Sequence, residues 1–275
     1  MPVSSRKRMR SDIMVGEKNS LSPPDFAPIW NIVVQLRKIR DAPVDLWGCD
    51  KVVDPTAPKD VFEFQILVAA MLSSQTKDQC VKQGMDSLLT GDFSVGGILS
   101  MTEDEIDEKI KMVGFHRTKA KNIKSVASIL ATEFGGRVPA SFDHLVSLPG
   151  VGPKMANLVM SSAFQQSSGI CVDTHVHRIC SRLGWGCKKC EPECKQPEHT
   201  RQALEQWVPQ NMWRDFTYML VGLGQQSQSA RQLVLNRCLE LENSSEAIKF
   251  LERIKFNFNK LDTNNDTAYQ HSSLD

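Results

Sequence analysis

A lysine directly after a glycine-rich hairpin is the residue of this sequence best placed for covalent chemistry. Residues 148–154 read LPGVGPK and end on Lys154. The glycines permit a tight turn, and the following proline suits the first turn of a helix. The amides of Gly150, Val151 and Gly152, with the positive end of that helix, can bind a phosphate without reading bases. An αα-corner that needs glycine for close packing is the alternative interpretation.

Lys154 and Asp173 are the candidate catalytic pair. Lys154 lies in the first helical turn, where a cation opposes the helix dipole and the neutral, nucleophilic amine is favoured. Such an amine can attack a sugar carbon and form a Schiff base, but the position suits a phosphate-contacting lysine equally well. Asp173 precedes a helical pattern and is a suitable N-cap. A carboxylate fixed in this way can also stabilise positive charge on a reacting sugar or accept a proton.

The elements that must position these residues are predicted to be helices, because helical periodicity is common and strand alternation is scarce. Thr102 and Glu105 have the spacing of a capping box, and Asp60 is a plausible N-cap for the helix that follows it. The sequence therefore predicts an all-α fold. Helices are expected near 29–39, 62–72, 81–89, 103–113, 119–134, 156–164, 175–183, 197–207 and 212–222, with a further helical pattern over 227–254.

Length and charge narrow the class of protein further. The 275 residues suit one large or two modest domains, and no apolar run approaches the roughly 18 residues of a membrane-spanning helix. The net charge is only +1, so a nucleic-acid partner must meet a local basic patch. Residues 111–124 contain five Lys or Arg and no acid. Lys119 and Lys121 are thus candidate nucleic-acid contacts, unless this stretch is simply a solvated helix face.

Two further groups invite a functional interpretation. The basic cluster Arg6–Arg10 fits a nuclear localisation signal, a weak mitochondrial presequence or a solvated tail. No secretory segment follows it, so the eight cysteines are interpreted as thiols or ligands. Cys187, Cys190 and Cys194 with His199 have short spacing that makes zinc conceivable. Because that spacing is irregular and lysines surround it, we predict a basic loop without metal.

Several segments together resemble motifs of the endonuclease III family, which belongs to the helix-hairpin-helix Gly/Pro-Asp superfamily of DNA glycosylases. The resemblance covers about residues 28–226. In that family the hairpin lysine is the Schiff-base nucleophile and the aspartate is the second catalytic residue, which implies these roles for Lys154 and Asp173. The segments are LPGVGPKMAN at 148–157, VDTH at 172–175 with Arg178, MLSSQTKD at 71–78, VGF at 113–115 and LVGLGQ at 220–225.

The same resemblance assigns two further residues to DNA contact. Gln75 and Phe115 match positions that fill the gap left by an extruded base. Taken alone, Gln75 is more typical of a polar residue at a helix end, and Phe115 of a core aromatic. His175 is expected to orient Asp173 or to contact DNA.

The resemblance also implies two helical domains with a DNA cleft between them. Residues 56–166 would form a six-helix domain that holds the hairpin. Residues 28–55 and 167–258 would form the second domain, so that Lys154 and Asp173 stand on opposite walls of the cleft. The tails 1–27 and 259–275 are predicted to be disordered.

The sequence departs from the family where a 4Fe-4S cluster is usually bound. Family members carry four cysteines spaced C-x6-C-x2-C-x5-C after the Gly-Gln segment. The corresponding positions here are Gln228, Leu235, Cys238 and Ser244. One thiolate of four cannot hold a conventional cluster, so we predict that the cluster is absent and that the chemistry requires no cofactor.

These inferences predict a bifunctional DNA glycosylase and abasic-site lyase that acts on double-stranded DNA containing oxidised pyrimidines or abasic sites. The protein is expected to be a monomer located in the nucleus, with the mitochondrion as a second destination. A monofunctional adenine glycosylase that uses water is the alternative enzyme, although that subgroup lacks a lysine at the position of Lys154. A non-catalytic helix-hairpin-helix DNA-binding protein is the alternative outside enzymes, if the divergent C-terminus prevents assembly of the second domain.

Overall fold

The computed structural model describes residues 22–166, 168–186 and 196–260, and all of its regular elements are helical. The all-α prediction is confirmed. No helix in these ranges is long and apolar enough to cross a membrane. The helices are α1 Phe26–Leu36, α2 Pro43–Trp47, α3 Lys59–Ser73, α4 Asp78–Leu89, α5 Val95–Ser100, α6 Glu103–Lys109, α7 His116–Glu133, α8 Phe142–Ser147, α9 Pro153–Ala163, α10 Thr174–Leu183, α11 Pro197–Glu205, α12 Trp213–Ser229, α13 Arg231–Leu239 and α14 Ser244–Arg253, with a 3₁₀ turn at Gln210–Met212.

Local sequence signals set several helix starts. The Thr102 hydroxyl accepts from the Glu105 amide at 3.2 Å and the Glu105 carboxylate accepts from the Thr102 amide at 2.7 Å, so the predicted capping box is confirmed. The predicted Asp60 cap is wrong, because α3 begins earlier, after Pro58. Asp60 instead lies in the first turn, where a negative charge favours the helix dipole.

The first of two apolar clusters is built around α3. Every residue from 63 to 72 is buried there, as expected of a helix that is apolar on most of its faces. Helix α9, which carries Lys154, packs against α3, and α4 to α8 supply most of the remaining buried side chains. The cluster also contains Cys49, Val52 and Val53, which the family resemblance assigns to the second domain.

The second cluster joins α1 to the helices from α10 onward and has an aromatic centre. The Phe26 ring lies 4.9 Å from Trp207 and 5.3 Å from Trp185, both edge-on, and Trp30 stacks on Phe216 at 5.3 Å. Edge-on and stacked aromatic pairs stabilise a core beyond their area alone. Helix α10, which Asp173 caps, packs against α12 in this cluster.

The divergent C-terminus forms α13 and α14, which pack on the second cluster. The Arg253 guanidinium donates to the Leu183 carbonyl at 3.0 Å and pairs with Asp25 at 2.8 Å. Arg182 donates to the Ile254 carbonyl. The last helix therefore ties the end of α10 to the start of α1. The basic cluster Arg6–Arg10, the three closely spaced cysteines and residues 261–275 lie outside the described residues.

Candidate active site

Residues from both clusters line one cavity of about 520 Å³. Lys154 reaches it from the first turn of α9, and Asp173 from the residue before α10. His175 and Asp78 line the same cavity. The two predicted catalytic residues therefore line the same cavity, although the rest of α9 and a loop separate them along the chain.

The Lys154 side chain is exposed, and no described residue forms a hydrogen bond or ion pair with its ammonium. It follows the N-terminal proline of α9, as the hairpin motif predicts. A lysine that is held on a helix packed against α3 while its amine is uncommitted suits attack on a ligand in the cavity. The same arrangement also suits a phosphate contact.

Asp173 caps α10 as predicted. Its Oδ1 accepts from the amides of His175 and Val176, each at 2.8 Å. Both bonds use a single carboxylate oxygen, and Oδ2 has no hydrogen-bond partner among the described residues. The cap therefore fixes the carboxylate while leaving one oxygen available for chemistry.

His175 is held against a glycine at the wall of the cavity. A Cβ on Gly224 would lie 2.5 Å from the Cβ of His175, so a larger residue cannot occupy position 224 without displacing the ring. Burial lowers the pKa of His175, and its Nδ1 is buried without a hydrogen-bond partner. Arg178 donates to the Gly224 carbonyl at 3.2 Å. Because Nδ1 is buried against Gly224, it does not face a ligand, and the contact of His175 with DNA stays a prediction.

Asp78 and Gln225 belong to the site although the sequence analysis gave them no role. The Gln225 amide donates to Asp78 Oδ2 at 2.7 Å and accepts from the Val44 amide at 3.0 Å. Burial raises the pKa of Asp78, and the nearby Lys154 ammonium opposes that rise. Both residues fall inside motifs already singled out, but their pairing joins α4 to α12 and has no signal in the local sequence.

The hairpin between α8 and α9 needs glycine at its first turn position. Gly150 has φ +77°, and a Cβ there would lie 2.4 Å from Nδ2 of Asn122. The Val151 amide donates to the Leu148 carbonyl at 3.1 Å and its side chain is buried. The expected anion-binding role of the Val151 amide is therefore corrected to turn closure and packing. The amides of Gly150 and Gly152 have no backbone acceptor in the described ranges.

We expect Gly150→Ala to destabilise the protein more than Gly136→Ala. Both glycines have a φ near +77°, and alanine in that region costs about 1 to 2 kcal/mol. A Cβ at Gly136 meets no atom within 4 Å, whereas one at Gly150 displaces Asn122. Urea denaturation of both variants and of Gly150→Ala/Asn122→Ala measures the difference. Equal losses for the two single variants would show that the Asn122 contact contributes nothing.

Gln75 and Phe115 lie on facing turns and are both exposed. Gln75 has φ +49° and Phe115 has φ +57°, a backbone region that non-glycine residues rarely occupy. Phe115 is 66% exposed, so the alternative that it is a core aromatic is wrong. Gln75 does lie two residues beyond the end of α3, as its helix-end interpretation requires. An exposed aromatic ring on a strained turn suits contact with a ligand.

The basic stretch 111–124 is only partly available to DNA. Lys121 and Arg117 are exposed on α7. Lys119 is buried and donates to protein oxygens, so the expectation that it contacts DNA directly is corrected. Lys124 likewise donates to main-chain carbonyls, and Lys111 pairs with Glu108.

The residues at the cluster positions do not fit a 4Fe-4S group. Cys238 is fully buried among apolar side chains, and it is the one cysteine at the four cluster positions. A cluster ligand must be a thiolate. Gln228 is exposed on α12 and Ser244 begins α14. Among the described residues no group of three or more His, Cys, Asp or Glu could hold a metal ion.

We predict that protein purified without oxygen is colourless and poor in iron. The visible absorbance spectrum and the iron content of the intact purified chain measure this directly. A cluster would give about four irons per chain and a brown colour. That result, with both signals lost in Cys187→Ala, would make the upstream cysteines the ligands and contradict the prediction.

Comparison with known proteins places this geometry in a family. Residues 68–210 match the family described as HhH-GPD superfamily base excision DNA repair protein. Endonuclease III-like protein 1 of Gallus gallus is 48% identical over 193 residues, which cover 70% of this chain and 67% of that protein. The Bos taurus protein of the same name is 43% identical over 224 residues, covering 80% of this chain and 72% of the relative.

Solved structures show the same likeness. A non-covalent Endonuclease III–DNA complex aligns with a TM-score of 0.58 at 28% identity, covering 70% of this chain and 83% of that one. A trapped Endonuclease III–DNA covalent intermediate with an estranged adenine aligns with a TM-score of 0.58 at 27% identity and the same coverage, 70% and 83%. The helical fold expected from the hairpin motifs is confirmed.

Proposed function

Because the chain belongs to the endonuclease III family of base excision repair DNA glycosylases, we propose that it is a bifunctional glycosylase and abasic-site lyase for oxidised pyrimidines. The observation that carries the proposal is the meeting of Lys154 and Asp173 in one cavity. Lys154 brings an uncommitted amine, and Asp173 brings a carboxylate fixed through one oxygen. An amine and a carboxylate so placed suit attack on a sugar carbon that becomes positively charged.

The first chemical step exchanges the base for the lysine. The damaged nucleotide leaves the stack and enters the cavity, at a cost of a few kcal/mol. Lys154 Nζ attacks C1′, the bond from C1′ to the base nitrogen breaks, and the base leaves with the electron pair. Asp173 stabilises the charge that develops on the sugar and accepts the proton lost by the amine. The bond from C1′ to O4′ then breaks, O4′ takes the electron pair and the proton held by Asp173, and the Schiff base forms between Nζ and C1′.

The second step cleaves the strand. The Schiff base withdraws electrons from C1′, so a proton at C2′ becomes acidic and is removed by a base. The bond from C3′ to the 3′ phosphate oxygen then breaks, and the phosphate leaves with that electron pair. Water finally hydrolyses the imine and releases Lys154 for another cycle.

We place the duplex across the opening of the cavity. The two apolar clusters would be the cores of the two expected domains, and the duplex would lie between them. The amides of Gly150 and Gly152 would bind a backbone phosphate at the start of α9, and Lys121 would add an electrostatic contact. Gln75 and Phe115 are exposed at turns where they would fill the space that the extruded nucleotide leaves.

Two observations favour this function over the alternatives. The monofunctional adenine glycosylase lacks a lysine where Lys154 stands, so a water mechanism leaves this amine without a role. The non-catalytic alternative requires that the divergent C-terminus prevents assembly around Asp173. Helices α13 and α14 instead complete the second cluster, and the hydrogen bonds between α10 and the end of α14 support the helix that Asp173 caps.

Reduction with borohydride on abasic-site duplex tests the proposal. A lyase forms an imine that borohydride converts into a stable protein–DNA adduct. We expect the full chain to give this adduct and a cleaved strand. Neither a monofunctional glycosylase nor a non-catalytic binding protein gives the adduct with this substrate, and release of the base from a duplex that still carries it distinguishes these two. Absence of the adduct would overturn the proposed function.

A further inference from the structure

Lys119 is buried beneath the turn that follows α3. Its ammonium donates to the Leu72 carbonyl at 2.8 Å, to the Ser74 carbonyl at 2.6 Å and to the Thr76 hydroxyl at 3.0 Å. An ammonium has three N–H groups, so all of them are used within the protein. Burial lowers the pKa of Lys119 to about 8, and the fully protonated form still predominates at neutral pH.

Thr76 connects this lysine to a second turn. Its hydroxyl accepts from the Gly114 amide at 3.2 Å and donates to the Ser74 carbonyl at 3.1 Å. A Cβ on Gly114 would lie 2.8 Å from the Gln75 carbonyl oxygen, so the two backbones are in close contact. The turns 73–76 and 113–115 therefore form one hydrogen-bonded unit with Lys119 at its base.

The two exposed residues of this unit have the strained backbones already described. Gln75 and Phe115 both lie in the left-handed region, on turns that touch each other. Such conformations persist only where the surrounding structure fixes them. The Lys119 ammonium and the Thr76 hydroxyl supply that fixation from the buried side of the two turns.

We propose that Lys119 is a positioning residue that holds Gln75 and Phe115 ready to enter the duplex beside an extruded nucleotide. This inference rests on the proposed function, because it requires that a nucleotide leaves the stack. Lys119 itself contacts no DNA and acts through the two turns. Its removal leaves both side chains present but lets their backbones relax toward ordinary conformations.

Lys124 provides a matched control on the same helix. Its ammonium donates to the carbonyls of Ile98 at 3.1 Å, Leu99 at 2.6 Å and Met101, which close the end of α5. Lys119→Met and Lys124→Met therefore each remove one ammonium and three bonds to protein oxygens from α7. They differ in whether those bonds support the turns that carry Gln75 and Phe115.

The test measures insertion and discrimination separately from stability. The full-length variants bind a duplex with a tetrahydrofuran abasic analogue opposite 2-aminopurine, whose fluorescence reports a change in its stacking. Affinity for the same duplex is compared with that for undamaged DNA, and thermal unfolding is recorded. A misplacement of about 1 Å can cost about 100-fold in a preorganised site, so we expect Lys119→Met to lose most of the fluorescence change and about tenfold or more of the discrimination. Lys124→Met should retain both.

Each other outcome has a defined meaning. Fluorescence and discrimination like those of the unmodified protein in Lys119→Met, or equal losses in Lys124→Met, would overturn the positioning role. An unmodified protein that forms the borohydride adduct without a fluorescence change would also overturn it. A protein that forms no adduct refutes the proposed function instead. If Lys119→Met does not fold, Thr76→Val removes the shared hydroxyl while leaving the lysine, and the same losses are expected.

Discussion

Replacing Lys154 by alanine should abolish the borohydride adduct while DNA binding is largely retained. The Schiff base requires this amine, and Lys154 is the one lysine among the described residues that line the cavity of about 520 Å³. Binding persists because the glycine amides of the hairpin and the exposed Lys121 remain. Denaturing gel electrophoresis after reduction measures the adduct, and fluorescence anisotropy measures affinity.

Lys121→Ala is the matched control for the loss of one exposed positive charge. We expect it to weaken binding modestly. Its affinity should also depend less steeply on salt concentration than that of the unmodified protein, because one phosphate contact is lost. It should trap abasic-site DNA normally. A Lys154→Ala variant that still forms the reduced adduct would show that another amine is the nucleophile.

Replacing Asp173 by asparagine should reduce turnover severely without unfolding the protein. Asparagine is also a good N-cap, so the loss of stability should not exceed about 1 kcal/mol. The chemistry loses a negative charge and a proton acceptor, and general acid–base groups contribute roughly 100-fold to 10,000-fold. Single-turnover cleavage of damaged duplex measures the rate, and affinity for that duplex should be retained.

Asp173→Ala separates the two roles of this carboxylate. It removes the bonds to the His175 and Val176 amides as well as the charge, so it should destabilise α10 by about 1 kcal/mol more than asparagine does. Both variants should be equally slow if the charge is what catalysis needs. Full activity in Asp173→Asn, or an unfolded protein, would contradict the catalytic assignment.

Local signals made part of this site predictable from sequence. The Thr102 capping box and the Asp173 cap each depend on residues within three positions along the chain. The hairpin lysine follows from the glycine and proline spacing around it. Such features are readable because the interacting groups are neighbours in the sequence.

Contacts between distant segments could not be predicted in the same way. Lys119 occurs in a basic run and was expected to face DNA, yet its oxygen partners belong to residues 72–76. Asp78 meets Gln225 only because α4 and α12 converge in the folded chain. Phe115 is exposed because a left-handed turn carries it out of the core. Each depends on tertiary packing rather than on periodicity.

The C-terminus has one feature that the sequence predicts and one that it does not. The departure of residues 228–244 from the cluster spacing is visible in the sequence, and so is their helical pattern. The burial of Cys238 in the apolar core against α14 is not visible in the sequence, because it depends on how α13 packs. The second cluster in this structure is held by aromatic and aliphatic side chains and by arginine contacts to helix ends.

Identifying the amino acid that is joined to DNA tests the central claim most directly. The full chain is incubated with duplex containing an oxidised pyrimidine, reduced with borohydride and digested, and the adduct is mapped by tandem mass spectrometry. We expect the modified sugar on Lys154 alone, in the peptide that contains the hairpin. An adduct on another lysine or on the terminal amine, or release of the base with no adduct, would contradict the account.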